Sequence, residues 1–290
     1  MTNTVDQFGV PLLPAIELPG EAPAASRLNQ TRVNEVIKSL EDNHTAIPEL
    51  IIVLPAYNES EALVSTAWEL EQVLSDYTFR ILIVNDGSTD NSIDLVERAN
   101  LPNTQIVHHP ENRGLGGAIK TGLKLACKQA RQDGDIVIVM DSDFTHTPYL
   151  IDQMVRTVRA GNDIVIASRY RYGAQVIGLE PYREFLSNGA SWLFRMLIPI
   201  RNVKDYTCGY RAYRVSLLRK AFAKYGDQLI TETGFACMAE LLIKLARFGA
   251  IICEVPMVLR YDKKRSTSKM NVVKTIVKSL KMLTRFMLIR

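Results

Sequence analysis

Long apolar runs are missing from this sequence of 290 residues. No stretch reaches the roughly 18 uninterrupted apolar residues that indicate a transmembrane helix. The N-terminus has no basic segment followed by an apolar one, which is the pattern of a secretory signal. The sequence therefore predicts neither element, and we expect any contact with a membrane to be made at its surface.

Cysteines and spaced metal ligands are also scarce. The cysteines form no CxxC pair and are far apart: Cys127, Cys208, Cys237 and Cys253. In a chain of this size they indicate reduced thiols of a cytosolic protein rather than a disulfide framework. The central histidines are not spaced like metal ligands either, which favours structural roles for His108, His109 and His146.

A strong charge of one sign is missing from the chain as a whole. The formal net charge is +4, with 47% hydrophobic and 23% charged residues, which fits a folded protein and excludes a nucleic-acid-binding polycation. Residues 260–290 differ, because they contain ten lysines and arginines against one acid, Asp262. This basic C-terminus suggests a phosphate-rich or membrane-surface partner.

What the sequence does contain is a regular alternation of short apolar segments and amphipathic ones. Strands are predicted at residues 50–55, 79–84, 104–109, 135–140 and 163–168, and helices at 59–74, 88–100, 116–132 and 147–160. Such alternation is typical of βαβ units, so the predicted fold class is α/β, with a mostly parallel sheet flanked by helices. No GxGxxG follows a strand, which disfavours a dinucleotide-dependent oxidoreductase.

The chain divides into three predicted parts. Residues 1–46 form an N-terminal extension, partly flexible, because prolines are spread among small residues there. Residues 47–265 form the folded domain. Residues 266–290 form a basic loop and an amphipathic helix, whose lysines and apolar side chains lie on opposite sides. That helix fits a membrane surface, and docking on the folded domain is the alternative.

Chemically distinctive residues follow four of the predicted strands. These segments are Pro55–Glu59, Asn85–Ser88, Asp141–Asp143 and Ser168–Tyr170. Asn58 in the first of them is expected to cap the helix that follows. In sheets of this type, ligands bind beyond the carboxyl ends of the strands. We therefore expect one binding site at that edge of the sheet.

Asp141 and Asp143 end the most apolar of these strands. Burying two unpaired carboxylates would cost several kcal/mol each. Carboxylates at positions i and i+2 can share Mg²⁺ or Mn²⁺, with substrate phosphates completing the coordination shell. The alternative interpretation is that both aspartates are solvated residues at the start of the next helix. Asp86 likewise fits either a turn and helix cap or a contact with a base or ribose.

Two further segments leave alternatives open. Residues 111–122 are rich in glycine but match neither GxGxxG nor the P-loop, which predicts a turn and close helix packing, with Lys120 as a candidate contact. Residues 182–200 fit either a core helix or an interfacial one. Arg183 and Ser187, four residues apart, fall on a common side of that helix.

Seven segments resemble glycosyltransferase family 2 in their order and spacing: LPAYNE, VNDGSTD, NRGLGGAIKTGL, MDSDFTH, ASRY, DYTCGYRAY and EVP…RSTSKM. Within that family the sequence looks most like the polyprenyl-phosphate sugar synthases, which include dolichyl-phosphate mannose synthase. The resemblance covers roughly residues 48–270. It implies a GT-A fold, in which a Rossmann-like nucleotide-sugar domain is continuous with an acceptor-binding part.

The resemblance also implies roles for individual residues. Those expected to contact the nucleoside are Pro55, Tyr57, Glu59 and Asp86. Those expected to bind the metal and the donor diphosphate are Asp141 and Asp143, and both would act in catalysis together with Arg169. Those expected to bind the acceptor phosphate or the diphosphate are Arg169, Arg183, Ser187, Arg265 and Lys269. Thr145 stands where these synthases commonly have a glutamine near the metal.

The activity that the resemblance implies is inverting transfer of a hexose, mannose from GDP-mannose, to a polyprenyl or dolichyl phosphate. The implied cofactor is Mg²⁺ or Mn²⁺, and the implied location is the cytoplasmic face of a membrane, with peripheral association. One alternative is a donor of the UDP-glucose type or a sugar hydroxyl acceptor, for which Glu232 is the candidate base. Another is a nucleotide-sugar-binding protein without turnover. The oligomeric state stays unknown, and no nucleic-acid partner is expected.

Overall fold

The computed structural model describes residues 48–179, 189, 191–264, 282, 284 and 286. All of them belong to the unit Ile47–Arg290. The predicted N-terminal extension, residues 1–46, lies outside the described residues, as does most of the predicted basic segment 266–290.

The described part of the chain contains nine strands: β1 (Leu50–Ala56), β2 (Phe79–Asn85), β3 (Thr104–His108), β4 (Ile136–Val139), β5 (Ile164–Ser168), β6 (Gln175–Ile177), β7 (Arg211–Arg214), β8 (Ile252–Pro256) and β9 (Val258–Arg260). Each of the five strands predicted from the sequence is present, with both ends within one residue of the prediction. Short runs of β-branched and other apolar residues were therefore a reliable signal here.

The helices of the described region are α1 (Ser60–Val73), α2 (Ser92–Ala99), α3 (Gly114–Gln129), α4 (Ile151–Arg159), α5 (residues 191–197), α6 (Val215–Tyr225) and α7 (Ala236–Ala246). The four helices predicted between strands are present as α1 to α4. Helix α2 begins later than predicted, because the carboxylate of Asp90 accepts the backbone N–H of Ser92 at 3.1 Å and holds the preceding residues in a turn.

Seven of the nine strands form one sheet in the order β3-β2-β1-β4-β7-β5-β8. Strand β7 is antiparallel to both of its neighbours, and every other pair in this sheet is parallel. Strands β6 and β9 pair separately and in parallel. The predicted α/β class with a mostly parallel sheet is confirmed.

The centre of the sheet is covered on both faces. Every residue of β1 and β4 is buried, although the side chains of a strand point alternately to its two sides. Helix α4 shows how a neighbouring element contributes to the core. Its buried residues recur at the spacing of one helical face: Ile151, Met154, Val155 and Val158.

Strand β7 is one of the four strands that the sequence does not predict, β6 to β9, and its direction determines which loop reaches the edge of the sheet. Arg211, its first residue, pairs with Val139 of β4 on one side and with Ile166 of β5 on the other. Because β7 runs in reverse, the loop that precedes it, residues 205–210, reaches the edge where β4 and β5 end. That edge is where the sequence predicts a site.

The described helices include none that is long and apolar enough to cross a bilayer. Of the predicted C-terminal amphipathic helix, the structure describes Met282, Thr284 and Phe286, which have helical backbones. Met282 and Phe286 are buried, and the ring of Phe286 lies 5.0 Å from the guanidinium carbon of Arg247. The rest of that helix lies outside the described residues.

Candidate active site

The loops that follow β1 and β2 are joined by hydrogen bonds. The backbone N–H of Asn58 donates to Ser88 Oγ at 3.1 Å, and the N–H of Thr89 donates to Asn58 Oδ1 at 2.8 Å. The prediction that Asn58 caps α1 is wrong, because Glu59 occupies the N-cap position and the Asn58 amide reaches across to the second loop. The first loop also carries Tyr57, which is 37% exposed at the sheet edge.

Asp86 is buried directly after β2 and is held on one oxygen. Its Oδ1 lies 2.6 Å from Nδ1 of His109 and accepts the backbone N–H of Arg113 at 2.9 Å. The far nitrogen of the same imidazole lies 2.9 Å from Thr121 Oγ1. Asp86 is therefore not the cap of α2, whose N-cap residue is Asn91. The contact of His109 with Asp86 was not predicted, because metal-ligand spacing was the criterion for histidines, although the position of His109 just beyond β3 could have indicated it.

Asp141 and Asp143 follow β4 and lie beside the end of β1. The hydroxyl of Ser142 between them donates to the carbonyl of Pro55 at 2.8 Å, which ties the two strand ends together. Asp143 is buried, and its Oδ1 accepts the hydroxyl of Thr145 at 2.6 Å and the N–H of the same residue at 3.2 Å. The side chain of Asp141 is 33% exposed. One carboxylate is thus fixed from within, and the other is partly exposed to solvent.

His146 and the loop before β7 support Asp141. The backbone N–H of Asp141 donates to His146 Nδ1 at 3.1 Å, so this nitrogen acts as an acceptor. The imidazole stacks on the ring of Tyr210, with centroids 5.0 Å apart. A β-carbon on Gly209 would lie 2.9 Å from Asp141 Oδ1, so only glycine fits there without displacing the carboxylate.

Lys264 supplies positive charge to this group of carboxylates. Its Nζ lies 2.5 Å from Asp143 Oδ2. Burial opposes the ionisation of Asp143, but the charges of Lys264 and His146 and the hydrogen bonds from Lys264 and Thr145 together outweigh it and lower the pKa of that carboxyl. Partial burial raises the pKa of Asp141. His146 and Lys264 oppose this increase, whereas the charges of Asp143 and Glu59 add to it. Burial would lower the pKa of Lys264, but the surrounding carboxylates raise it.

The same residues fit a divalent cation that is bound together with a substrate. Among the described residues, no group of three or more histidine, cysteine, aspartate or glutamate side chains forms a ready cation site. Asp141 and Asp143 offer the carboxylate oxygens that Mg²⁺ and Mn²⁺ prefer, and two carboxylates leave coordination positions for phosphate oxygens. This donor set is typical of a cation that arrives with a nucleotide.

Arg169, at the end of β5, is held by Asp205 from the loop before β7. Its Nε and Nη2 donate to the two carboxylate oxygens at 2.8 and 2.7 Å, and its backbone N–H donates at 3.1 Å. Asp205 is fully buried. The other predicted phosphate-binding residues lie outside the described residues: Arg183, Ser187, Arg265 and Lys269.

Comparison with known proteins identifies the family. The model of the family described as Glycosyl transferase family 2 matches residues 51–222, which is more than half of the chain. The chain belongs to glycosyl transferase family 2. It is therefore a glycosyltransferase, as the resemblance implies.

Two relatives with established names share most of this glycosyltransferase's length. A dolichol-phosphate mannosyltransferase of Pyrococcus furiosus is 30% identical over 238 residues, which are 81% of this chain and 63% of that protein. The match therefore spans less than two thirds of the Pyrococcus protein. An undecaprenyl-phosphate mannosyltransferase of Micrococcus luteus is 29% identical over 224 residues, which are 77% of this chain and 87% of that protein.

A solved structure confirms the GT-A fold. Glucosyl-3-phosphoglycerate synthase from Mycobacterium tuberculosis, in complex with Mn²⁺, uridine diphosphate and phosphoglyceric acid, superimposes with a TM-score of 0.60. The match covers 85% of this glycosyltransferase and 82% of that chain, at 19% identity. At this identity the likeness shows the fold alone.

The glycine-rich segment at the start of α3 packs against a loop that carries Glu232. The N–H of Gly116 donates to the carbonyl of Thr233 at 3.0 Å, and a β-carbon on Gly116 would lie 1.8 Å from the carbonyl oxygen of Glu232. The predicted role in turn formation and close packing is confirmed. The Nζ of Lys120, one turn further along α3, lies 3.5 Å from the carbonyl oxygen of Asp227.

Glu240 of α7 holds the Glu232 loop in place. One of its oxygens accepts the N–H groups of Thr231 and Glu232, both at 2.8 Å, and the other accepts the Thr231 hydroxyl at 2.6 Å. Lys244 forms an ion pair with the same carboxylate at 2.6 Å. Burial opposes ionisation of Glu240, but these donors lower its pKa. One buried carboxylate therefore orders a loop beside the active-site edge.

Glu240→Gln should destabilise the fold in a pH-dependent way. Since the folded-state pKa lies below the ordinary 4.5, ionised Glu240 stabilises the fold above about pH 4.5, and this contribution is lost as the pH falls through the folded-state pKa. We expect the substitution to lower the free energy of unfolding by about 2 kcal/mol at neutral pH. Urea unfolding at a series of pH values should show this difference shrinking on acidification.

The matched control is Glu97→Gln, which removes an exposed carboxylate from α2. It should leave the free energy of unfolding unchanged at every pH. A difference for Glu240→Gln that persists unchanged at acid pH would contradict the lowered pKa.

Proposed function

We propose that this glycosyltransferase transfers mannose from GDP-mannose to the phosphate of a polyprenyl phosphate, with inversion at the anomeric carbon. The observation that carries the proposal is the meeting of two groups at one sheet edge. Asp141 and Asp143 suit a cation with a diphosphate, and Arg169, held by a buried carboxylate, suits an anionic acceptor. The names of the two mannosyltransferase relatives support the same acceptor class.

On the donor side, the nucleoside would lie on the joined loops after β1 and β2. Pro55 lies near the end of β1, Tyr57 and Glu59 belong to the loop that follows it, and Asp86 begins the second loop. Because His109 and the Arg113 N–H fix one oxygen of Asp86, its carboxylate is oriented before a nucleoside arrives. Asp141 and Asp143 would hold Mg²⁺ or Mn²⁺, which would neutralise the charge of the departing diphosphate.

On the acceptor side, the chemistry needs little help from a base. The second pKa of a phosphate monoester is about 6, so the acceptor is mostly a dianion at neutral pH. What the protein has to provide is position and positive charge. Arg169 provides both in the described region, and we expect Arg183, Ser187, Arg265 and Lys269 to add to it.

A sugar hydroxyl acceptor is the second candidate, and one observation favours it. Glu232, the candidate base, belongs to a loop that Glu240 orders and that packs on the first turn of α3. A hydroxyl, unlike a phosphate, needs a base to remove its proton. The donor in this case would be of the UDP-glucose type.

A lipid acceptor implies that the enzyme acts at a membrane surface, and the exposed apolar side chains of helix α5 support contact with such a surface. Trp192 and Met196, four residues apart on this helix, are each 58% exposed, whereas Phe194 is buried and stacks on Tyr206. Residues 182–200 were predicted to form either a core helix or an interfacial helix. Both interpretations have support, since one side of α5 belongs to the core and another presents apolar side chains to solvent. The four free cysteines fit a reducing compartment and hence the cytoplasmic face.

A donor and acceptor panel tests the proposed reaction. GDP-mannose, UDP-glucose and UDP-N-acetylglucosamine are each incubated with Mn²⁺ or Mg²⁺ and a short-chain polyprenyl phosphate, the matching polyprenol or an oligosaccharide. Mass spectrometry follows the lipid product, and a coupled assay follows nucleoside diphosphate release. We expect mannosyl phosphoryl lipid from GDP-mannose with the phosphorylated acceptor. Product from the oligosaccharide instead would support the hydroxyl reaction and contradict our proposal.

Asp141→Asn and Asp143→Asn should each lower turnover by at least about 100-fold, because each removes a carboxylate charge from the diphosphate site. Initial rates at saturating GDP-mannose and saturating cation measure this loss. Asp76→Asn is the control, since Asp76 is exposed before β2, away from the strand ends that form the site. Near-normal turnover in either variant would contradict the assigned role of that residue.

The two tryptophans of the chain, Trp68 and Trp192, allow a direct test of membrane contact. Trp68 is 59% exposed on α1 and serves as the internal control. In Trp68→Phe, anionic phospholipid vesicles should shift the emission of Trp192 to shorter wavelength, because its ring enters the interface. In Trp192→Phe, the emission of Trp68 should not shift. No shift from Trp192, or equal shifts from both, would contradict contact through α5.

A further inference from the structure

We infer that Asp205 is a positioning residue for the transfer reaction, which holds the guanidinium of Arg169 in the orientation that receives the acceptor phosphate. The inference rests on the proposed function, in which Arg169 binds that phosphate. Asp205 itself is fully buried, so it offers no surface that a substrate could contact. Its effect on the reaction would therefore be exerted through Arg169.

The contact between the two residues fixes the plane of the guanidinium. Nε and Nη2 of Arg169 each donate a hydrogen bond to a different oxygen of Asp205. This bidentate geometry fixes the orientation of the guanidinium as well as its distance from the carboxylate. A further donation from Nη2 reaches Thr207 Oγ1 at 2.7 Å. The backbone N–H of Arg169 also donates to Asp205. Main chain and side chain of the arginine are thus held by the same carboxylate.

The carboxylate is in turn fixed by its own loop and by β8. Its Oδ1 accepts the N–H of Thr207 at 3.3 Å and of Cys208 at 3.0 Å. The N–H groups of Lys204 and Asp205 both donate to Glu254 Oε1 at 2.6 Å. The position of Asp205 is therefore set by the backbone on both sides of it, and small shifts of its carboxylate are opposed.

A second ion pair extends this support. Nε of Arg171 lies 3.1 Å from Glu254 Oε2, and its Nη2 donates to the carbonyl of Asn202 at 3.1 Å. The loop that carries Asp205 is thus enclosed by the segment after β5 and by β8. Charged groups at this depth are costly to bury unless they are paired, so removing one member would leave its partner's charge buried and unpaired. A cation held in this way needs little reorganisation when an anion binds.

Strand β5, which ends beside Arg169, offers a matched control at its other end. Asp163, just before β5, lies 3.5 Å from Nε of Arg214. This pair resembles Asp205 and Arg169 in chemistry, but it lies at the edge opposite the strand ends that form the site. Asp163→Asn should therefore report what the loss of an aspartate–arginine pair does to stability alone.

The test compares Asp205→Asn, Thr207→Val and Asp163→Asn in steady-state kinetics with a short-chain polyprenyl phosphate. For Asp205→Asn we expect kcat/KM for the acceptor to fall by about 100-fold, while the Kd for GDP with Mn²⁺ stays within about twofold. Thr207→Val, which removes one contact to Arg169, should cost about fivefold. Asp163→Asn should leave kcat/KM unchanged. Thermal unfolding of each variant is measured in parallel.

A double-mutant cycle separates positioning from a general structural role. If Asp205 acts through Arg169, then Asp205→Asn should cause little further loss of kcat/KM in an Arg169→Gln background. Losses that multiply in the double variant would overturn the inference. Should Asp205→Asn fail to fold, the same cycle is run with Thr207→Val, and an unchanged kcat/KM in that variant would overturn it.

The cycle also distinguishes the inference from the proposed function. An Arg169→Gln variant with an unchanged acceptor kcat/KM would mean that Arg169 does not bind the acceptor, and the proposed function would fail at that point. A large loss in Arg169→Gln together with no loss in Asp205→Asn would leave the proposed function standing and overturn the inference alone.

Discussion

The site depends on pairing the buried carboxylates that the loops bring to the edge of the sheet. Asp86 is held by His109, Asp143 by Lys264 and Asp205 by Arg169. In each case the partner comes from a part of the chain that is distant in sequence, so the pairs also join the loops around the edge. Without partners, these buried charges would cost more than the core could readily offset.

The reversed strand β7 makes the pair between Asp205 and Arg169 possible. If β7 ran parallel to β4 and β5, the loop before it would lie at the opposite edge of the sheet. Because β7 runs the other way between β4 and β5, the loop before it brings Asp205 and Gly209 to the same place. Gly209 leaves room for Asp141, and Asp205 orients Arg169. The donor carboxylates and the proposed acceptor cation therefore share one rigid support.

Much of the fold and part of the candidate site could be predicted from the sequence, and what could not be predicted has physical causes. The apolar runs gave the five strands of the βαβ region, and the rule on strand ends gave Asp86, Asp141, Asp143 and Arg169. The long-range contacts within the candidate site were missed, because nothing in the local sequence marks the two partners of such a contact. Asp205 is 36 residues from Arg169, and Lys264 is 121 residues from Asp143. His109 and His146 were set aside because metal-ligand spacing was the criterion, whereas both contact the site aspartates or their backbone.

The most direct test of this account is the position of the cation itself. Crystals grown with GDP and Mn²⁺ would be measured near the manganese absorption edge, and an anomalous difference map would locate the metal. We expect one strong peak bonded to the carboxylate oxygens of Asp141 and Asp143 and to the diphosphate, with the ammonium of Lys264 displaced from Asp143. A peak away from both aspartates, or bound GDP with no metal between it and them, would contradict the account.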